Sequence, residues 1–210
     1  MGKKRENNKV YLSGEVVSEP VRVIRDKGEP LCRFTVRVPR LSGVYDILPV
    51  TILERNVTEA ISLGQRICMA GQFRSYNRLE NGKSRLFLAA YAQELLSEDV
   101  KTAPNTVELN GCLCKPPIYR TTPFGREIAD FLLAVNRDYN KSDYIPCIAW
   151  GGNARFISML SVGDRLAVSG RLQSREYQKK YSETDIENRV AYEVSVSRLE
   201  LLDGQEDEED

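Results

Sequence analysis

The sequence predicts an all-β protein with short helices, built as two tandem five-stranded Greek-key barrels. Three observations predict it. The chain contains one pattern twice, its apolar residues mostly alternate with period two, and each copy breaks that alternation once, at the same place, with a helical pattern. The duplication is plainest in SLGQRICMAGQFRSYNR, Ser62 to Arg78, and SVGDRLAVSGRLQSREY, Ser161 to Tyr177. Upstream, Asn8-Lys-Val-Tyr-Leu-Ser-Gly14 matches Asn105-Thr-Val-Glu-Leu-Asn-Gly111 at an offset of 97. The same offset joins Pro20 to Pro117, Gly28 to Gly125, Phe34 to Phe131, Arg40 to Arg137 and Pro49 to Pro146. It grows to 99 for Gly64 with Gly163 and Gly71 with Gly170. A period of this length marks a duplicated domain, since solenoid repeats are shorter. The units run over 8–97 and 104–202, separated by the polar SEDVKTAP and followed by an acidic tail at 203–210 that is expected to be disordered.

The elements follow in order. In the first unit VYLSGEVV, CRFTVRVP and DILPVTIL alternate as strands. In the second, VELNGCLC, IADFLLAVN, YIPCIAW, RLAVSGRL and YEVSVSRLEL do the same. Between the third and fourth strands ERNVTEAISLG and GGNARFISMLSVG predict a helix, with Ala154, Ile157 and Met159-Leu160 on its buried side and Gly64 or Gly163 at its end. Three strands, a short helix and two strands is the order of the OB-fold, a small barrel that binds oligonucleotides or oligosaccharides.

Composition narrows the chemistry. The chain has 210 residues and no histidine, which removes Ser-His-Asp and Cys-His catalysis and imidazole ligation of zinc. Cys112-Leu-Cys114 has the wrong spacing for a zinc knuckle, so no metal and no cofactor is expected. The five cysteines sit in apolar runs and read as reduced, core-facing thiols of a cytoplasmic protein. No apolar stretch is long enough to cross a bilayer, and the basic start MGKKRENNKV lacks the apolar core of a secretory signal. The net charge of zero hides six acids in the tail; without them, 30 basic residues face 24 acidic ones, a net +6 that suits a polyanion partner.

One resemblance is specific. Asn105-Thr-Val-Glu-Leu-Asn-Gly111, Pro117, Thr121-Thr-Pro-Phe-Gly125, Phe131-Leu-Leu-Ala-Val-Asn-Arg137, Asp143-Tyr-Ile-Pro-Cys-Ile-Ala-Trp150 and Gly163-Asp-Arg-Leu-Ala-Val-Ser-Gly170 closely resemble the bacterial single-stranded DNA-binding protein family, in order and with its spacing. The first unit resembles it more loosely. The resemblance implies a non-enzymatic, largely sequence-independent binder of single strands in replication, recombination or repair, in the cytoplasm with the nucleoid. Its stacking aromatics correspond to Tyr139, Tyr144, Trp150 and Tyr177. Tyr144 and Trp150 are six apart, so a regular strand presents both on one face. Arg137, Arg171, Arg175, Lys179 and Lys180 are candidate phosphate contacts beside them. For each tyrosine alone, packing at a barrel rim is the alternative; Trp150 is equally suited to anchor the core.

The first unit departs from this pattern. Leu53 stands where Trp150 does, Ile47 where Tyr144 does, and Arg78 where Tyr177 does. It keeps Tyr45 and Tyr76 as possible secondary platforms, with Arg74, Arg78, Lys83 and Arg85 clustered nearby. Either it binds DNA mainly through charge, or it serves dimerisation or partner docking. The family's tails end in an apolar tip that docks on replication and repair proteins, whereas this one ends Glu208-Glu209-Asp210, which puts that partnership in doubt. By analogy the chain forms a homodimer presenting four OB units. The competing expectation is a primosome or replication-restart type of OB protein acting mainly through protein contacts.

Overall fold

The computed structural model describes residues 7–24, 28–57, 59–80, 82–97, 103–138, 140–180 and 186–202. The first unit contains β1 (Asn8–Val16), a short β2 (Val21–Val23), β3 (Leu31–Pro39), β4 (Tyr45–Leu53), β5 (Arg66–Glu80) and β6 (Lys83–Leu96). The second contains β7 (Asn105–Leu113), a short β8 (Ile118–Thr121), β9 (Glu127–Arg137), β10 (Lys141–Trp150), the helix α1 (Gly152–Ser158), β11 (Arg165–Lys180) and β12 (Ile186–Leu201). In the first unit β1 pairs with both β3 and β5, β3 with β4, β4 in parallel with β6, and β6 with β5, which closes a five-stranded ring. β7, β9, β10, β12 and β11 close the second ring in the same order. Strands β2 and β8, which the periodicity does not mark, add an outer edge to β3 and β9.

Alternation builds the barrels. Phe34, Leu48, Val50, Ile52, Met69 and Phe73 fill the first interior, and Leu109, Leu133, Ile145, Ile157 and Leu166 the second, each no more than 2% exposed. Gly71 and Gly170 mark register shifts at the same place in β5 and β11. A Cβ there would sit 2.1 Å from the carbonyl oxygen of Tyr91 or Ser195. Only glycine admits that approach, and the bulge bends each following hairpin out of its barrel as a long two-stranded ribbon.

Three expectations need correction. The first unit forms no α-helix among its described residues; Glu54–Asn56 make a single 3₁₀ turn, and Val57 returns to extended geometry. The β-branched Val57 and the side chain of Ile61 pack against the core directly and need no helix to carry them there. In the second unit α1 buries Ala154 and Ile157 but leaves Met159 73% exposed. Nor do Gly64 and Gly163 cap a helix. Both have positive φ, 81° and 101°, in the turn entering β5 or β11. Their N–H groups donate to Val16 O and Leu113 O at 2.8 Å, tying each turn to the end of the first strand.

The units share one sheet. β1 and β7 pair antiparallel, from Asn8 opposite Leu109 to Leu12 opposite Asn105, about an approximate twofold axis. Beside this seam the repeated asparagines fix each ribbon to the first strand of its own unit. Asn8 and Phe73 exchange two bonds of 2.8 Å through side-chain amide and backbone, and Asn105 does the same with Leu172 at 2.7 and 2.9 Å.

Candidate nucleic-acid interface

Strand β10 turns Ile145, Cys147 and Ala149 into the barrel and leaves Tyr144 and Trp150 outside, 44% and 40% exposed on one face. Tyr177 stands on the β11 ribbon, 37% exposed, with the Arg175 guanidinium 5.8 Å from its ring centroid. Arg175 also lies 3.3 Å from Glu193, and Lys179 is exposed further along the ribbon. Tyr139 and the acidic tail lie outside the described residues, as do the side chains of Arg78, Lys83 and Lys180.

Four of the arginines proposed for phosphate contact pair with buried carboxylates, Arg175 with Glu193 and Arg74, Arg137 and Arg171 with two aspartates. Asp143, fully buried, accepts a hydrogen bond of 2.7 Å from the Ser75 N–H and lies 3.5 Å from Arg74 and 3.4 Å from Arg137. Burial pushes its carboxyl above the usual aspartate value, against the pull of the Ser75 N–H and the two guanidiniums. Its counterpart Asp46 accepts from Arg40 Nε at 2.8 Å, Arg171 at 3.0 Å and the Ser174 N–H at 2.7 Å. Each cluster joins a ribbon of one unit to the third barrel strand of the other. The Ser75 hydroxyl accepts from the Tyr144 N–H at 2.8 Å, and the Ser174 hydroxyl accepts from the Ile47 N–H at 3.0 Å. The first unit therefore holds the backbone of Tyr144, and its Asp46 anchors the ribbon three residues before Tyr177.

Asp46, Asp143, Ser75 and Ser174 are the residues that sequence reasoning missed. Their signal is the duplication itself, at offsets of 97 and 99. One detail hides it: Gln72 and Arg74 in β5 become Arg171 and Gln173 in β11, so arginine and glutamine exchange places while each guanidinium still reaches its aspartate.

In the first unit Ile47 is exposed where Tyr144 stands in the second, and Leu53 is half-buried in place of Trp150. Tyr45 is 54% exposed with Arg37 5.1 Å above its ring. Tyr76 stacks on Phe87 across the ribbon, centroids 5.5 Å apart, and its hydroxyl accepts from Arg33 at 3.2 Å. Arg85 reaches Glu187 of the other ribbon at 3.9 Å. Among the described residues no group of three acidic or cysteine side chains converges to hold a metal ion, and no helix is long and apolar enough to cross a membrane.

Two closed five-stranded rings with this strand order define a tandem OB-fold protein, with aromatic and basic side chains on one face of the second barrel. The wild-type single-stranded DNA binding protein from Thermus aquaticus has a similar fold, with a TM-score of 0.73 and 24% identity over 93% of this chain and 92% of that one. The profile of the single-strand binding protein family matches residues 104–202. Single-stranded DNA-binding protein 1 of Staphylococcus aureus is 42% identical over 83 residues, 36% of this chain and 50% of that protein. Single-stranded DNA-binding protein A of Bacillus subtilis is 36% identical over 107 residues, 48% of this chain and 62% of the other. Single-stranded DNA-binding protein 3 of Clostridium acetobutylicum is 35% identical over 106 residues, 47% of this chain and 71% of its own length. The chain thus spans between about half and about seven-tenths of the length of these relatives. It belongs to the single-strand binding protein family.

Proposed function

We propose that this protein binds single-stranded DNA without catalysing a reaction and largely without regard to sequence, in replication, recombination or repair. The observation that carries the reading is the exposed Tyr144 and Trp150 on one face of β10, with Tyr177 on the ribbon that continues it. Flat side chains accept any base, each stack contributing about 1–3 kcal/mol, and Arg175 and Lys179 on the ribbon of Tyr177 are the candidate phosphate contacts. Tyr139 would add a fourth platform. The units 8–97 and 104–202 divide the work unequally, since aliphatic Ile47 and Leu53 offer no ring. The first unit's share is charge and the positioning of Tyr144 and Tyr177.

Trp150 is the one tryptophan of the chain, so its fluorescence reports on the second unit alone. Oligo-dT is expected to quench it at low salt, and log affinity should fall against log salt by about 0.7 for each phosphate neutralised. A flat fluorescence titration at low salt contradicts the reading. By analogy with its family the protein forms a homodimer presenting four barrels; sedimentation should give twice the chain mass, and a monomer at all concentrations rejects that part.

A further inference from the structure

Between the two ribbons lies a cleft of about 890 Å³ that belongs to neither barrel alone. Its floor is Pro49 of β4 and Pro146 of β10, the same position in the two units. Its walls include residues 84–89 of β6 and residues 189–193 of β12, which also correspond, so the cleft lies on the approximate twofold axis. Pro146 stands on the outer face of β10, between Tyr144 and Trp150 and two residues from Tyr144. The aromatic face therefore runs into the cleft, and at Pro49 the cleft opens onto the matching face of the first unit.

The lining suits a polyanion with flat bases. Five arginine and lysine side chains face two acids, Asp130 and Glu193. Asp130 is paired outside the cleft with Arg120 at 2.7 Å, and Glu193 is paired with Arg175 at 3.3 Å and accepts from Gln173 at 2.7 Å, so the other bases of the lining, Arg33, Arg85, Lys179 and Arg189, take no part in these pairs. Tyr76, Phe87, Tyr177 and Tyr192 bring rings to the same space. From ribbon to ribbon, Glu187 lies 3.9 Å from Arg85 and accepts from Arg189 at 2.7 Å. Arg85 and Glu187 are 34% and 40% exposed and too far apart for a strong bond, so their pairing contributes little and a phosphate can replace the carboxylate.

We infer that a single DNA strand crosses from the second unit to the first through this cleft, and that Glu187, beside the cleft, holds the lining's Arg85 and Arg189 until a phosphate of the entering strand replaces the carboxylate. The inference rests on the single-strand-binding reading and adds the path. It also gives the first unit a part in binding that does not need stacking residues on its own barrel face.

The full-length protein is titrated with an oligo-dT of about 10 nucleotides, which fits one barrel, and one of about 30, which must span both. Trp150 quenching reads both. Glu187→Gln is expected to tighten the longer oligonucleotide about threefold and Arg85→Gln to weaken it about threefold, with the shorter one unchanged in both. A pair that merely aligns the ribbons responds with the same sign to loss of either partner. Shifts of one sign, equal shifts for both lengths, or no shift overturn the crossing while leaving binding by the second unit intact. Absence of quenching with either length overturns the binding reading and the crossing with it.

Discussion

Cys147 shows how burial sets chemistry at a single residue. It is 2% exposed inside the second barrel, and burial pushes its thiol far above the usual cysteine value. The unfolded chain releases this proton near pH ~8.5, whereas the folded chain keeps it. The folded state then binds more protons, so this contribution to stability is complete below that pH and is lost as pH rises above it. Urea midpoints should therefore fall more steeply between about pH 8 and pH 10 for the natural protein than for Cys147→Ala. Equal slopes would place the thiol in contact with water. The alternating pattern already marked Cys147 as inward, because its neighbours Ile145 and Ala149 share its face. The aspartates were harder to read. A charge in a strand suggests solvent, and nothing local shows that Asp143 meets an arginine 69 residues away or that Asp46 meets one 125 residues away.

The ribbons are the elements that make two barrels act together. The bulges at Gly71 and Gly170 turn them outward, Asn8 and Asn105 fix their roots, and the Asp46 and Asp143 clusters lay each across the other unit. Asp46→Ala leaves Arg40 and Arg171 without their carboxylate and the Ser174 N–H without its acceptor. The expected cost is about 3 kcal/mol, at the low end for a broken buried pair because both arginines are partly exposed. Chemical denaturation measures it, and a change under about 0.5 kcal/mol would mean that the cluster is solvated. Barrel order, strand faces and the ribbon glycines were legible in the sequence because each repeats in both units. The helix expected over 54–64 was not, since Val57 and Ile61 carry a spacing that also suits an extended plug at the barrel end.

At the scale of the whole molecule, duplication has separated scaffold from surface. Both units keep the residues that close the barrels and join them: the asparagines, the bulge glycines, the aspartates and the serines. They differ on the face proposed for DNA, where Tyr144, Trp150 and Tyr177 in one copy correspond to Ile47, Leu53 and Arg78 in the other. A strand held by both units would meet stacking on the second barrel and charge on the path to the first. The measurement closest to this account is the affinity of a fluorescently labelled oligo-dT for the Tyr144→Ala, Trp150→Ala, Tyr177→Ala triple variant, read by anisotropy in moderate salt. With three stacks removed the affinity is predicted to fall by at least about 100-fold while the thermal midpoint stays close to that of the natural protein. Retention of affinity within about threefold would contradict the assignment of stacking to the second unit.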